Sequence, residues 1–126
     1  MAYNILVVDD DLDTLAVMGI ILRRIGYETH LAKTGREGLI HLAEHRPDLI
    51  LLDLQMSPMD GWEFMKEVRD GGHDADVPIM LFTAKPLLER ERRMAEGNVV
   101  RVLQKPISSP ELKEALMEFF GSRRGR

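Results

Sequence analysis

The sequence predicts a single α/β domain, a five-stranded parallel sheet with helices on both faces. Three observations carry this. Short apolar runs, read as buried strands, alternate with longer segments of helical period along the whole chain. Turn residues separate the two kinds of segment, as in strand–helix–strand units that join parallel strands by right-handed crossovers. The length of 126 residues suits one domain with a real core and is too short for two comfortable ones.

In chain order, Ile5-Leu6-Val7-Val8 is the first buried strand and runs into Asp9-Asp10-Asp11. A first helix follows, with Leu15, Met18, Leu22 and Ile25 on one stripe and Gly26 as its stop. Tyr27 to Ala32 is a mixed strand of edge type. Thr34-Gly35-Arg36-Glu37 is a capping box that opens the second helix, which runs to about His45, before Pro47. Leu49-Ile50-Leu51-Leu52, bounded by Asp48 and Asp53, is apolar without alternation and belongs at the middle of the sheet. The loop Leu54 to Gly61 carries the Pro and Gly a turn requires. A third helix starts near Gly61, buries some of Trp62, Met65 and Val68, and dissolves in Gly71-Gly72-His73-Asp74. Ile79 to Phe82 is the fourth strand, ending at Thr83. The fourth helix, from about Pro86 to Glu96, is the least amphipathic. Val99 to Leu103 is the fifth strand, followed by Gln104-Lys105-Pro106. Ser108-Ser109-Pro110-Glu111 caps a fifth helix with the stripe Leu112, Ala115, Leu116 and Phe119. The domain is expected to span 1–121, with 122–126 as a frayed basic tail.

Composition narrows the function classes. Hydrophobic residues at 44% and charged residues at 30% describe an ordinary globular protein. A net charge of −4 gives no electrostatic footprint for nucleic acid. Cysteine is absent, which removes disulfide and thiol chemistry and fits a cytoplasmic protein. No signal peptide is expected ahead of the first strand, and the longest apolar run, Leu15 to Leu22, is far short of the roughly 20 residues of a membrane span.

The chemistry lies in the residues that end the strands: Asp9, Asp10 and Asp11, then Asp53, Thr83 and Lys105. In a parallel sheet the C-terminal strand ends share one rim, so these groups converge although they are far apart in sequence. Close carboxylates repel, and a divalent cation relieves the repulsion. Mg2+ suits the set because it takes oxygen ligands and bridges carboxylates to phosphate oxygens, with Mn2+ as a substitute. An ammonium and a hydroxyl are apt for the remaining phosphoryl oxygens, and an aspartate can itself be the nucleophile that forms an acyl phosphate. The rim therefore predicts phosphoryl transfer onto Asp53.

Val7-Val8-Asp9-Asp10, Asp53 after an apolar strand, Met59-Asp60-Gly61, Thr83-Ala84 and Lys105-Pro106, in this order, resemble the receiver domains of two-component response regulators over nearly the full length. The resemblance implies a flavodoxin-like (βα)5 fold with strand order 2-1-3-4-5. It makes Asp53 the phosphoacceptor and Asp10 a direct magnesium ligand, with Asp9 acting mainly through water and the Gln55 backbone carbonyl completing the protein ligands. Thr83, the Ala84 backbone and Lys105 would hold phosphoryl oxygens, and the Lys105–Pro106 peptide would be cis. The residues two beyond the acceptor and two beyond the threonine, Gln55 and Lys85, would flank the attacking water and tune dephosphorylation. The implied phosphodonor is a histidine kinase or a histidine phosphotransfer protein. The downstream target is unknown, and neither nucleic acid nor a membrane is a direct partner. The switch would be signalling, not metabolic: it acts on itself and exposes the helix 4–strand 5–helix 5 face. It is expected either as a stand-alone receiver or as part of a longer protein.

Several residues depart from the family pattern. The Pro of the usual Met-Pro is displaced to Pro58 by Ser57, and Val102 stands where an aromatic switch residue is common. The stretch Gly97 to Val102 is one residue longer than the common spacing. With Val102 small and β-branched, coupling is expected to rest on Thr83 and the segment Ala84-Lys85-Pro86.

Other features have plainer readings. His41 and His45, spaced i, i+4, lack an evident third ligand and read as a solvated helix face. Asp11 and Asp13 read as a cap and a first-turn acid. Leu15 to Leu22 is apolar on more than one face, which suits either burial or docking of a phosphodonor. Two other functions use parts of the same kit. A haloacid-dehalogenase-type phosphatase wants Asp-x-Asp-x-Thr/Val, but Asp13 stands where Thr or Val belongs. A receiver-like binding module that never carries phosphate typically lacks the acidic pair, the acceptor or the lysine, and all three are here.

Overall fold

The computed structural model describes residues 2–71 and 75–124. Strands β1 (Asn4–Val8), β2 (Glu28–Ala32), β3 (Leu49–Asp53), β4 (Ile79–Thr83) and β5 (Val99–Gln104) alternate with helices α1 (Leu12–Ile25), α2 (Gly35–Glu44), α3 (Gly61–Gly71), α4 (Glu89–Met94) and α5 (Ser109–Arg124). The strands form one parallel sheet in the order β2-β1-β3-β4-β5. This is the predicted flavodoxin-like arrangement, with Tyr27 to Ala32 at the edge.

Because side chains alternate across a strand, β1 feeds two cores. Ile5 and Val7 pack with Leu22, Leu51, Leu116 and Phe120. Leu6 and Val8 pack with Leu42, Leu52, Phe64 and Val68. The unalternating Leu49 to Leu52 are fully buried because both faces of β3 are covered. Asp48 fixes where β3 begins: its carboxylate accepts from the Asn4 N–H at 2.7 Å, and its own N–H donates to the Asn4 carbonyl.

Local signals end the helices much as predicted. Gly26 caps α1 at φ 114°, a left-handed conformation that a side chain would disfavour. Thr34 accepts from the Glu37 N–H, and Glu37 accepts from the Lys33 N–H, so the box at the start of α2 forms one residue offset. In α3 the helical phase also sends Phe64 to the centre of the core, which the stripe Trp62, Met65 and Val68 did not identify. Helix α3 is described as far as Gly71, and Gly72, His73 and Asp74, where it was expected to dissolve, lie outside the described residues.

Four differences concern the C-terminal half. Helix α4 begins at Glu89 instead of Pro86: Leu87 turns onto the core, and the Leu88 N–H is capped by the Glu91 carboxylate. The extra residue before β5 is absorbed as a bulge, since Ile79 pairs with Val99 but Met80 pairs with Arg101, passing Val100 over. Helix α5 runs to Arg124, into the stretch expected to leave the domain after residue 121; extending a formed helix is easy. Phe120, stacked on Tyr3 at 4.1 Å, takes the deep position instead of Phe119, which is half-buried against the same core.

Candidate functional site

Strand ends bring Asp9, Asp10, Asp53, Thr83 and Lys105 to one rim. Asp9, just past β1, and Asp53, at the end of β3, are buried at the ends of two interior strands, whereas Asp10, one residue on, is exposed. Gly61 lets the loop after β3 fold back this closely. A Cβ there would come within 2.8 Å of the Asp53 carbonyl and of the Leu54 Cα, both backbone atoms that cannot move aside.

Lys105 bridges the buried acids, its Nζ lying 3.2 Å from Asp9 Oδ2 and 3.4 Å from Asp53 Oδ2. Carboxylate oxygens of Asp9, Asp10 and Asp53 all lie within 4.8 Å of one another. Main-chain donors take up other lone pairs: the Asp11 N–H donates to Asp9 Oδ1, the Gln55 N–H to Asp53 Oδ1 and the Ser57 N–H to Asp10 Oδ2. Burial, and then the neighbouring Asp9 carboxylate, push the Asp53 carboxyl up to about 6 against the pull of Lys105. Burial also opposes the charge on Lys105, but Asp53 and Asp9 outweigh it and hold the ammonium above its ordinary value. One ammonium thus leaves the crowded carboxylates incompletely neutralised. Clustered hard oxygens with residual negative charge fit a divalent cation such as Mg2+.

Thr83 is buried, and its hydroxyl donates to the Lys85 carbonyl at 2.7 Å. The side chain of Gln55 closes this corner: Nε2 donates to Thr83 Oγ1 at 3.2 Å, and Oε1 accepts from the Ala84 N–H at 2.9 Å. Both donors expected to hold a phosphoryl group are thus engaged, the Ala84 N–H by the Gln55 amide and the Thr83 hydroxyl by the Lys85 carbonyl. The sequence marked Gln55 only as a flank of the water path, because an exposed Gln on a loop carries no sign of what it will bond. The Lys105–Pro106 and Ser57–Pro58 peptides are both cis.

The remaining candidates add no side-chain hydrogen bond to the rim among the described residues. Lys85 enters through its backbone, with its side chain exposed. Val102 is 40% exposed on β5, beside a groove of about 280 Å³ between that strand and α4. Asp11 caps α1, accepting from the Asp13 N–H and the Thr14 hydroxyl. On α1, Leu15, Met18 and Leu22 are buried while Val17 and Ile20 are more than half exposed. Val17 and Ile21 wall a cavity of about 470 Å³ that reaches Lys105, Pro106 and Ile107. Away from the rim, His30 stands against His41 and His45, a third imidazole that sequence reasoning missed. Strand parity was the available signal, since His30 shares its face of β2 with Ala32, which packs under α2 beside Leu42.

Comparison with known proteins matches this geometry. A family model described as the response regulator receiver domain matches residues 5–117. The polar-differentiation response regulator DivK of Brucella anthropi is 31% identical over 121 residues, covering 96% of this chain and 98% of that protein. The N-terminal domain of a response regulator receiver protein from Methanoculleus marisnigri is 36% identical at a TM-score of 0.80, covering 94% of this chain and 96% of that one. The receiver domain of a sensor histidine kinase from Pseudomonas aeruginosa, solved with a magnesium ion coordinated in its active site cleft, is similar at a TM-score of 0.83 and 27% identity, covering 96% of this chain and 99% of that one.

Proposed function

The chain belongs to the response regulator receiver domain family of two-component signalling, and from that premise we propose that Asp53 is its phosphoacceptor. The observation that carries the assignment is the Lys105 ammonium held between Asp9 and Asp53, with Asp10 completing a carboxylate cluster. Asp9, Asp10 and Asp53, with the Gln55 backbone carbonyl, would hold Mg2+ or, as a substitute, Mn2+. When bound, the cation offsets the charge that gathers on the transferring phosphoryl oxygens.

A carboxylate oxygen of Asp53 attacks the phosphorus of a phosphohistidine. The new O–P bond forms as the P–N bond breaks, and the departing imidazole keeps the electron pair and takes up a proton. Lys105 balances charge on the acyl phosphate, and Thr83 with the Ala84 N–H donates to its oxygens once the hydroxyl leaves the Lys85 carbonyl and the Gln55 amide releases Ala84. Water later attacks the phosphorus, releasing phosphate and the Asp53 carboxylate. Gln55 and Lys85 tune that step. The donor is a histidine kinase or histidine phosphotransfer protein, docking over the exposed apolar residues of α1 and the adjoining cavity. The outgoing signal leaves through the α4–β5–α5 face to a protein target. No helix among the described residues is long and apolar enough to cross a membrane, and the chain is proposed to work in the cytoplasm as a unit of 1–121 with its basic extension.

Incubation with magnesium and acetyl phosphate tests this by intact mass. One phosphoryl group is expected on the wild type and none on Asp53→Ala or Asp10→Ala. Replacing Gln55 and Lys85 together should change dephosphorylation by more than about twofold, roughly 0.4 kcal/mol of barrier, while leaving magnesium affinity nearly unchanged. Robust labelling of Asp53→Ala would move the acceptor elsewhere.

A further inference from the structure

Three imidazoles meet at the free edge of the sheet, on the β2–α2 flank and apart from the aspartate cluster. His30 lies on the outermost strand, on the side covered by α2, and His41 and His45 sit one helical turn apart at the end of that helix. Ring centroids are 4.6 Å apart for His30 and His41, 4.8 Å for His41 and His45, and 6.1 Å for His30 and His45. We propose that His30, His41 and His45 form a second cation site, selective for a nitrogen-seeking divalent metal such as Zn2+ or Ni2+ and indifferent to Mg2+.

The spacing fits that chemistry. A Zn–N bond of about 2.0–2.1 Å sets each ring centroid about 3 Å from the metal, and tetrahedral ligands then keep centroids about 5 Å apart. The observed distances bracket this value. A histidine pair one turn apart on a helix already offers two ligands on one face, and the neighbouring strand contributes the third. Neutral imidazole suits zinc and nickel, whereas magnesium prefers oxygen, so the aspartate rim and the histidine flank sort ions by ligand type.

The present rings are partly stacked, with interplanar angles of 36°, 36° and 7°. Among the described residues only the aspartate cluster already has three ligand atoms within 4.8 Å. Loading the histidine site therefore turns imidazoles about their side-chain torsions. His30 and His45 are exposed, so their rings have room to turn while the backbone stays in place. The fourth position is left for water or a small ligand. Occupancy would tie the edge strand to α2.

Titration of Zn2+ into the full chain, in excess Mg2+ to occupy the aspartate rim, decides the matter. One zinc per chain is expected with a micromolar or tighter dissociation constant, together with a rise in thermal midpoint. His30→Gln and His45→Gln, both exposed positions, should each weaken binding by at least about tenfold, while Asp53→Ala should leave it within about threefold. Co2+ in place of zinc should give the absorption of a four-coordinate nitrogen-ligated site, lost in His30→Gln. Millimolar affinity in the wild type would overturn the proposal. So would full affinity in His30→Gln, which would leave only the helical pair, or a loss that follows Asp53→Ala, which would locate the zinc among the aspartates.

Discussion

The centre of the sheet and the α4–β5 corner are built in opposite ways. At the centre, Leu49 to Leu52 are covered on both faces and deliver Asp53 to the rim, with Phe64 filling the layer beneath α3. At the corner, α4 is six residues long with no buried residue of its own, held by the flanking Leu87 and Ala95, and Val102 lies half in solvent. Chemistry that needs sub-ångström placement stands on strands that cannot move without breaking the core. The response is assigned to a segment whose displacement disrupts little packing. Thr83 joins the two, buried at the end of β4 while its hydroxyl bonds to Lys85 on the path to α4.

Core deletion should separate the regions most. Phe64→Ala is expected to cost about 3–5 kcal/mol in urea unfolding, whereas Leu88→Ala, at a position 61% exposed, should cost less than about 0.5 kcal/mol. Comparable losses at both positions would erase the contrast.

An effect of intermediate size lies within the rim. The folded Asp53 carboxyl stands at about 6 against 3.8 for the ordinary group, so the native state binds its proton more tightly than the unfolded chain. That contribution to stability is present below pH 3.8 and is lost as pH rises through about 6. Asp53→Asn cannot ionise. Without magnesium it should be more stable than wild type by about 1–2 kcal/mol at pH 7, with the advantage fading toward pH 4. Magnesium should narrow the gap by stabilising only the wild type. A difference flat across this range would mean that Asp53 titrates normally in the fold.

The smallest effect concerns coupling. A beryllofluoride complex, mimicking the acyl phosphate, should alter hydrogen exchange across residues 83 to 97. Thr83→Ala should suppress the change, and Val102→Ala should leave it largely intact. The reverse pattern would transfer the signal to β5 and overturn the route through Thr83.

How much of this was legible beforehand varies by region for physical reasons. Buried parallel strands announce themselves as unbroken apolar runs, so β1, β3 and β4 and the acids, hydroxyl and ammonium at strand ends were readable one residue at a time. Gly26 and the Thr34 box were equally local, because a cap is decided within one turn. The late start of α4 was not local. A helix beginning at Pro86 is sterically sound, and the burial of Leu87 against the core, with the Glu91 carboxylate on the Leu88 N–H, sets it later. Nor was the bulge at Val100, which depends on the register with β4 and not on any preference of its own. The sequence by itself determined the architecture and the inventory of rim residues, since strand burial and topology follow from hydrophobic pattern and crossover handedness. Tertiary structure alone decided which groups meet side chain to side chain. It set the Gln55 amide on Thr83 and Ala84 and brought His30 against His41 and His45, because contacts between polar groups on separate elements depend on how those elements pack, which no local pattern encodes.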